Sequence, residues 1–156
     1  MNPATPGQLY WSRVEPYWLR LNETWEDPAQ FLATMKSVPN TVQNLYAAHW
    51  CVSEVLNGGL HQFFYNTTGI LAPEAAIGLA SVGATELSQL VSEGMRFFGS
   101  SYLRDRKVRL DQLPELDDET ELEGTAFSPL DEKFNAWLDA EEHRWERLAD
   151  RYAADA

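Results

Sequence analysis

Apolar residues recur along this chain at intervals of three and four almost from end to end, the period of helices that bury one face. Tyr10-Trp11 and Tyr17-Trp18 lie seven residues apart, and Trp25 lies seven beyond Trp18. On a helix these rings share one stripe, and Pro16 forces a break or a restart within 9–21. Such a stripe reads as core anchors that hold an N-terminal arm (1–26) against the body. Asp27-Pro28 has the form of an N-cap followed by proline in the first turn and opens a helix through residue 37. Asn40 or Thr41 caps a run over 42–56, which Gly58 closes in a left-handed conformation. A short helix over 60–66 closes at Gly69, and Ala72-Pro73-Glu74 starts the next. Thr85 caps a run to about residue 98, and 104–113 form one more helix. No segment alternates as a strand does, so the chain is expected to be all-α: a single-domain multi-helix bundle over 1–156.

Ser128-Pro129 opens a long C-terminal amphipathic helix to about residue 152. Stepping about 100° per residue puts Leu130, Phe134, Trp137, Trp145, Leu148 and Tyr152 on one quarter of its circumference. Asp131, Asp139, Glu142, Glu146 and Asp150 form an adjacent acidic arc, and Lys133, Arg144, Arg147 and Arg151 the opposite flank. Glu141 falls inside the apolar arc, where a carboxylate must raise its pKa or find a donor.

The stretch from Asn57 to Asn66 is the centre of the pattern. Adjacent glycines, Gly58 and Gly59, interrupt the helix, and Phe63, Phe64 and Tyr65 follow in succession. Three consecutive side chains cannot share one helical face, so protein encloses this short aromatic helix on several sides, or it marks a docking surface.

Charge changes the picture more than composition does. The chain carries 24 acids against 12 Lys and Arg, a net charge of -12. The window 111–142 holds twelve of those acids and one base, Lys133, which leaves only -1 for the remainder. A field so placed repels nucleic acid and anionic membrane and attracts basic partners. Residues 114–127 read as an acidic loop. The basic cluster Arg104, Arg106, Lys107 and Arg109 adjoins these acids and is expected to pair with its own neighbours or with a second subunit, as in a homodimer.

Candidate chemistry is thin. The single cysteine, Cys51, lies in an apolar helical run and reads as an inert buried thiol. His49, His61 and His143 fall on separate predicted helices with no Glu-x-x-His spacing, so no metal site and no cofactor is expected. No nucleophile elbow or phosphate loop occurs, and the expectation is a protein that is not an enzyme. No run nears the ~20 apolar residues of a membrane span and the first residues lack a signal-peptide pattern, so the expected compartment is the cytoplasm.

Asn57, Gly58, Gly59, Gln62, Phe63, Phe64, Asn66 and Gly69, in this order and spacing, resemble the signature of a bacterial family of small acidic proteins, the DNA-mimic-protein-nineteen family. Glu74-Ala75-Ala76, Leu79, Val82-Gly83-Ala84 and Leu130-Asp131 with Phe134 extend the resemblance, and Leu60 replaces the usual aromatic. The resemblance implies an all-helical domain that mimics DNA toward a basic DNA-binding protein such as a transcription regulator. The acids expected to meet such a partner are Asp117, Asp118, Glu119, Glu121, Glu123, Asp139, Glu142 and Glu146. Two alternatives stand beside it: a helical domain whose acids serve solvation, and a small-ligand binder or enzyme with a pocket around His61, Gln62 and Glu141.

Overall fold

The computed structural model describes residues 4–113, 115–117 and 124–156, and among these there is no strand. In chain order the helices are α1 (Gln8–Val14), α2 (Trp18–Asn22), α3 (Pro28–Ser37), α4 (Asn40–Tyr65), α5 (Ala72–Ser81), α6 (Thr85–Met95), α7 (Arg106–Gln112), α8 (Ser128–Asp139) and α9 (Arg144–Asp155). Single 3₁₀ turns at Glu15–Tyr17, Thr67–Leu71 and Arg96–Phe98 join some of them. The all-α reading holds.

Local chemistry sets several starts. The Asp27 carboxylate accepts from the Ala29 and Gln30 N–H groups, with Pro28 in the first turn. Asp105 does the same for α7 through Lys107 and Val108. Thr85 opens α6 without a side-chain cap, and Pro39 rather than Asn40 or Thr41 stands at the N-cap of α4.

α4 is the axis of the fold. It buries Leu45, Tyr46, Ala47, Ala48, Cys51 and Val55 on its first half and Leu60, Phe63 and Phe64 on its second. α5 lies against it and carries α6 in turn. The aromatic triplet is split as helical geometry requires: Phe63 and Phe64 are fully buried, while Tyr65 is 42% exposed.

The N-terminal tryptophans anchor α1 and α2 to α4. Trp18 stacks on Trp50 at 5.1 Å between ring centroids, Trp25 meets Trp50 edge-on at 4.8 Å, and Trp11 meets Trp18 at 5.0 Å. From the other side α9 fixes α1, because Asp150 accepts from the Gly7 N–H at 2.8 Å and the Tyr10 N–H at 2.9 Å.

Two expectations about the helices are corrected. Gly58 is not the left-handed residue (φ −158°); Gly59 is, at φ 76°. The C-terminal helix is two helices, with a turn from Ala140 to a left-handed His143 (φ 54°) between α8 and α9. Both halves still bury their apolar faces, at Phe134 and Trp137 and at Trp145 and Ala149. The break frees Glu141, which a continuous helix would press into the core; it is exposed in the turn. Leaving a carboxylate in water spares its desolvation cost. Two members of the expected acidic arc take structural roles instead: Asp150 holds α1, and Asp131 serves the site described next.

Candidate functional site

The glycine break in α4 brings a set of polar side chains around a buried carboxylate. Glu54, 8% exposed, lies on the buried face between Cys51 and Val55. Residues eight apart on a straight helix are separated by about 12 Å along its axis. The break at Gly58-Gly59 turns the second half of α4, and Gln62 Nε2 donates to Glu54 Oε2 at 2.7 Å. Asn66 Nδ2 donates to the same oxygen at 2.9 Å and Thr68 Oγ1 to Oε1 at 2.9 Å. Three neutral donors thus satisfy one buried carboxylate. Asn57 Nδ2 in turn donates to Gln62 Oε1 at 3.1 Å. Of the signature residues, Gln62 and Asn66 are thus direct partners of Glu54, and Asn57 is joined to it through Gln62. The signal for Glu54 in the sequence is a glutamate amid Cys51, Val52 and Val55 on an apolar face.

Gly59 is required twice over. Its φ is one that L side chains rarely adopt, and a Cβ there would lie 2.5 Å from Asp131 Oδ2. Asp131, from α8, accepts the N–H of Leu60 at 2.8 Å through Oδ1 and so caps the second half of α4. Burial raises its pKa, and the Leu60 hydrogen bond opposes the shift. The Leu130-Asp131 match and the glycine pair are therefore two sides of one contact.

The end of α4 is closed by arginines. Arg109, fully buried, donates to the carbonyl oxygens of Phe64, Leu103, Arg104 and Asn66. Arg106 donates to Tyr65 O at 2.8 Å and lies over the Tyr65 ring at 5.2 Å. These guanidinium groups occupy carbonyls that a helix C-terminus leaves without intrahelical donors. Gly69 permits the approach: a Cβ there would lie 2.7 Å from Phe63 O and 2.9 Å from Arg109 Nη2. Arg104 pairs with Glu74 at 2.8 Å and donates to Ile70 O. The basic cluster does pair with its own neighbours, but mainly with carbonyls rather than with the acids that follow it.

Between α4 and α8 lies a cleft of about 820 Å³, walled by Asn57, His61, Gln62, Tyr65 and Asn66 on one side and by Ser128 and Asp131 on the other. Glu115 and Thr125 line its rim. It brings His61 and Gln62 together as expected but not Glu141, whose place is taken by Asp131.

The partner-facing acids divide as follows. Asp139 is exposed at the end of α8, and Glu142 is exposed in the turn, 3.6 Å from His143 Nε2. Glu146 is half-buried on the first turn of α9, 4.0 Å from His143 Nδ1. Asp117 is exposed. Asp118, Glu119, Glu121 and Glu123 lie outside the described residues.

Other candidate chemistry resolves into structure. Cys51 is buried, and desolvation pushes its thiol pKa up, away from a nucleophilic thiolate. His49 Nδ1 lies 3.0 Å from the Tyr10 hydroxyl, and burial lowers its pKa. Among the described residues no group of three His, Cys, Asp or Glu is placed to hold a metal ion, and no helix is long and apolar enough to cross a membrane.

The fold and this polar centre define an all-α acidic domain organised around a broken central helix. The chain belongs to the DMP19-like protein family, whose model matches residues 36–155. That span starts near the end of α3, so α1, α2 and most of α3 lie outside it. No curated protein and no solved structure matches the chain.

Proposed function

We propose that the protein is an acidic protein-binding module that occupies the nucleic-acid-binding surface of a basic partner, such as a transcription regulator. The observation that carries this reading is the state of the acids in the window 111–142. Asp111, Glu115, Glu132, Asp139 and Glu141 are exposed, and among the described residues none of them is bonded to a Lys or Arg side chain. The neighbouring arginines are meanwhile committed to carbonyls and to Glu74. The charge of these five carboxylates is therefore not neutralised by a bonded Lys or Arg side chain of the described residues. A surface of this kind resembles a phosphate backbone, which presents one charge per about 1.7 Å of duplex axis. The acids proposed to contact the partner are Asp117, Asp118, Glu119, Glu121, Glu123, Asp139, Glu142 and Glu146. Binding of this type releases counterions and steers encounter from a distance.

Immobilised wild-type protein tests this reading against a D117N/D118N/E119Q/E121Q variant in capture from a bacterial lysate, with elution by duplex DNA. The reading expects a DNA-binding protein that duplex DNA elutes from the wild type and that the variant retains poorly. Equal capture by both proteins, or capture that duplex DNA leaves untouched, contradicts it.

A further inference from the structure

We propose that the cleft between α4 and α8 recognises a guanidinium side chain carried on a basic segment of the partner. The inference deepens the reading above and rests on it. Glu54 is the fixed point of the cleft's polar wall. Both of its oxygens accept hydrogen bonds, and the amides of Gln62 and Asn66 turn their nitrogens toward Oε2. Gln62 Oε1 then accepts, which obliges Asn57 to present its own nitrogen. One buried acid thereby fixes the orientation of three amides.

The consequence lies in the atoms left over. Asn57 Oδ1 and Asn66 Oδ1 accept from no described residue, and both side chains line the cleft. The same cleft carries the carboxylates of Asp131 and Glu115 and no Lys or Arg among its lining residues. Arg106, which reaches Tyr65 of the cleft wall, is spent on that residue's carbonyl and ring. The lining is thus rich in acceptors, and His61 is the one basic side chain among its described residues.

A guanidinium is the complementary group, with five donors in a planar fork and no acceptor. An ammonium answers the charge but matches spread acceptors less well, because it is a compact point charge. An anion would face two carboxylates. The cleft is larger than one side chain, so residues flanking the arginine enter with it.

The probe is the peptide acetyl-Arg-Gly-Arg-amide, titrated into the full chain and followed by the side-chain amide resonances of Asn57 and Asn66 and by the ring of His61. The expected result is a saturable shift confined to these groups, with the lysine analogue binding more weakly. Asn57→Lys places a cation in the cleft and weakens binding by roughly tenfold or more. Glu115→Gln, on the rim, weakens it by about two- to fivefold without touching the Glu54 network. Shifts spread over all exposed acids, or equal affinity in both variants, overturn the proposal. The two readings fail separately. If a partner is displaced by duplex DNA yet binds Asn57→Lys as it binds wild type, the cleft is wrong and the mimic stands. If the peptide saturates the cleft but duplex DNA displaces no partner, the mimic is wrong and the cleft stands.

Discussion

Glu54 and Gln62 are eight residues apart in one helix, yet the Gln62 amide donates to the Glu54 carboxylate at 2.7 Å. The Gly58-Gly59 break makes that contact possible, and the contact explains why the helix is broken there. Removing the acceptor leaves the donors of Gln62, Asn66 and Thr68 without their partner. Glu54→Leu is expected to cost about 2–4 kcal/mol, read as a lower urea midpoint, since each orphaned buried donor costs on the order of 1–3 kcal/mol. A loss under about 0.5 kcal/mol would show that the network is not stabilising.

Gly59→Ala meets both a left-handed φ and the Asp131 carboxylate. We expect a loss of about 2 kcal/mol or more, near 5 °C in Tm for a domain of this size. Asp131→Ala removes the obstacle but also the cap on Leu60, so the double variant remains destabilised. Full recovery in the double variant would contradict the assigned role of Asp131.

Arg109→Lys keeps the charge and loses the fork. Four carbonyls now served by one guanidinium would share at most three donors on a shorter reach. The expected cost is about 2–4 kcal/mol by thermal unfolding. A Tm within about 1 °C of wild type would show that these carbonyls find other donors.

His49 carries a pH dependence of fixed sign. Burial lowers its folded pKa below the unfolded value of about 6.5, so the folded state favours the neutral ring. The stability this contributes is complete above about pH 6.5 and is lost as pH falls toward the folded pKa. Wild type should therefore lose more Tm between about pH 7.5 and 5.5 than His49→Gln does. Parallel curves for the two proteins would contradict this.

What the sequence made legible was local. Asp27-Pro28, Ala72-Pro73 and Ser128-Pro129 mark their helix starts through residues in the first turn, and all three lie where expected. The α8–α9 break carries no glycine or proline, and its left-handed residue is a histidine, so no short-range signal announced it. A continuous wheel consequently misplaced Glu141. The polar centre depends on long-range partners: Asp131 meets Leu60 across 71 residues and Arg109 meets Phe64 across 45. Periodicity places such residues on a face but cannot say which other face they meet. The signature residues were visible as a pattern, whereas the acid that unites them was hidden within an apolar run.

If exposed carboxylates take the place of nucleic acid on a basic partner, binding must release counterions and depend on salt. The decisive measurement is affinity for the captured partner from about 50 to about 200 mM salt. The expected result is a fall on the order of 100-fold, a linear dependence of log affinity on log salt, and a shallower slope for the D117N/D118N/E119Q/E121Q variant. Affinity that stays constant across that range, with the same slope in both proteins, would contradict it.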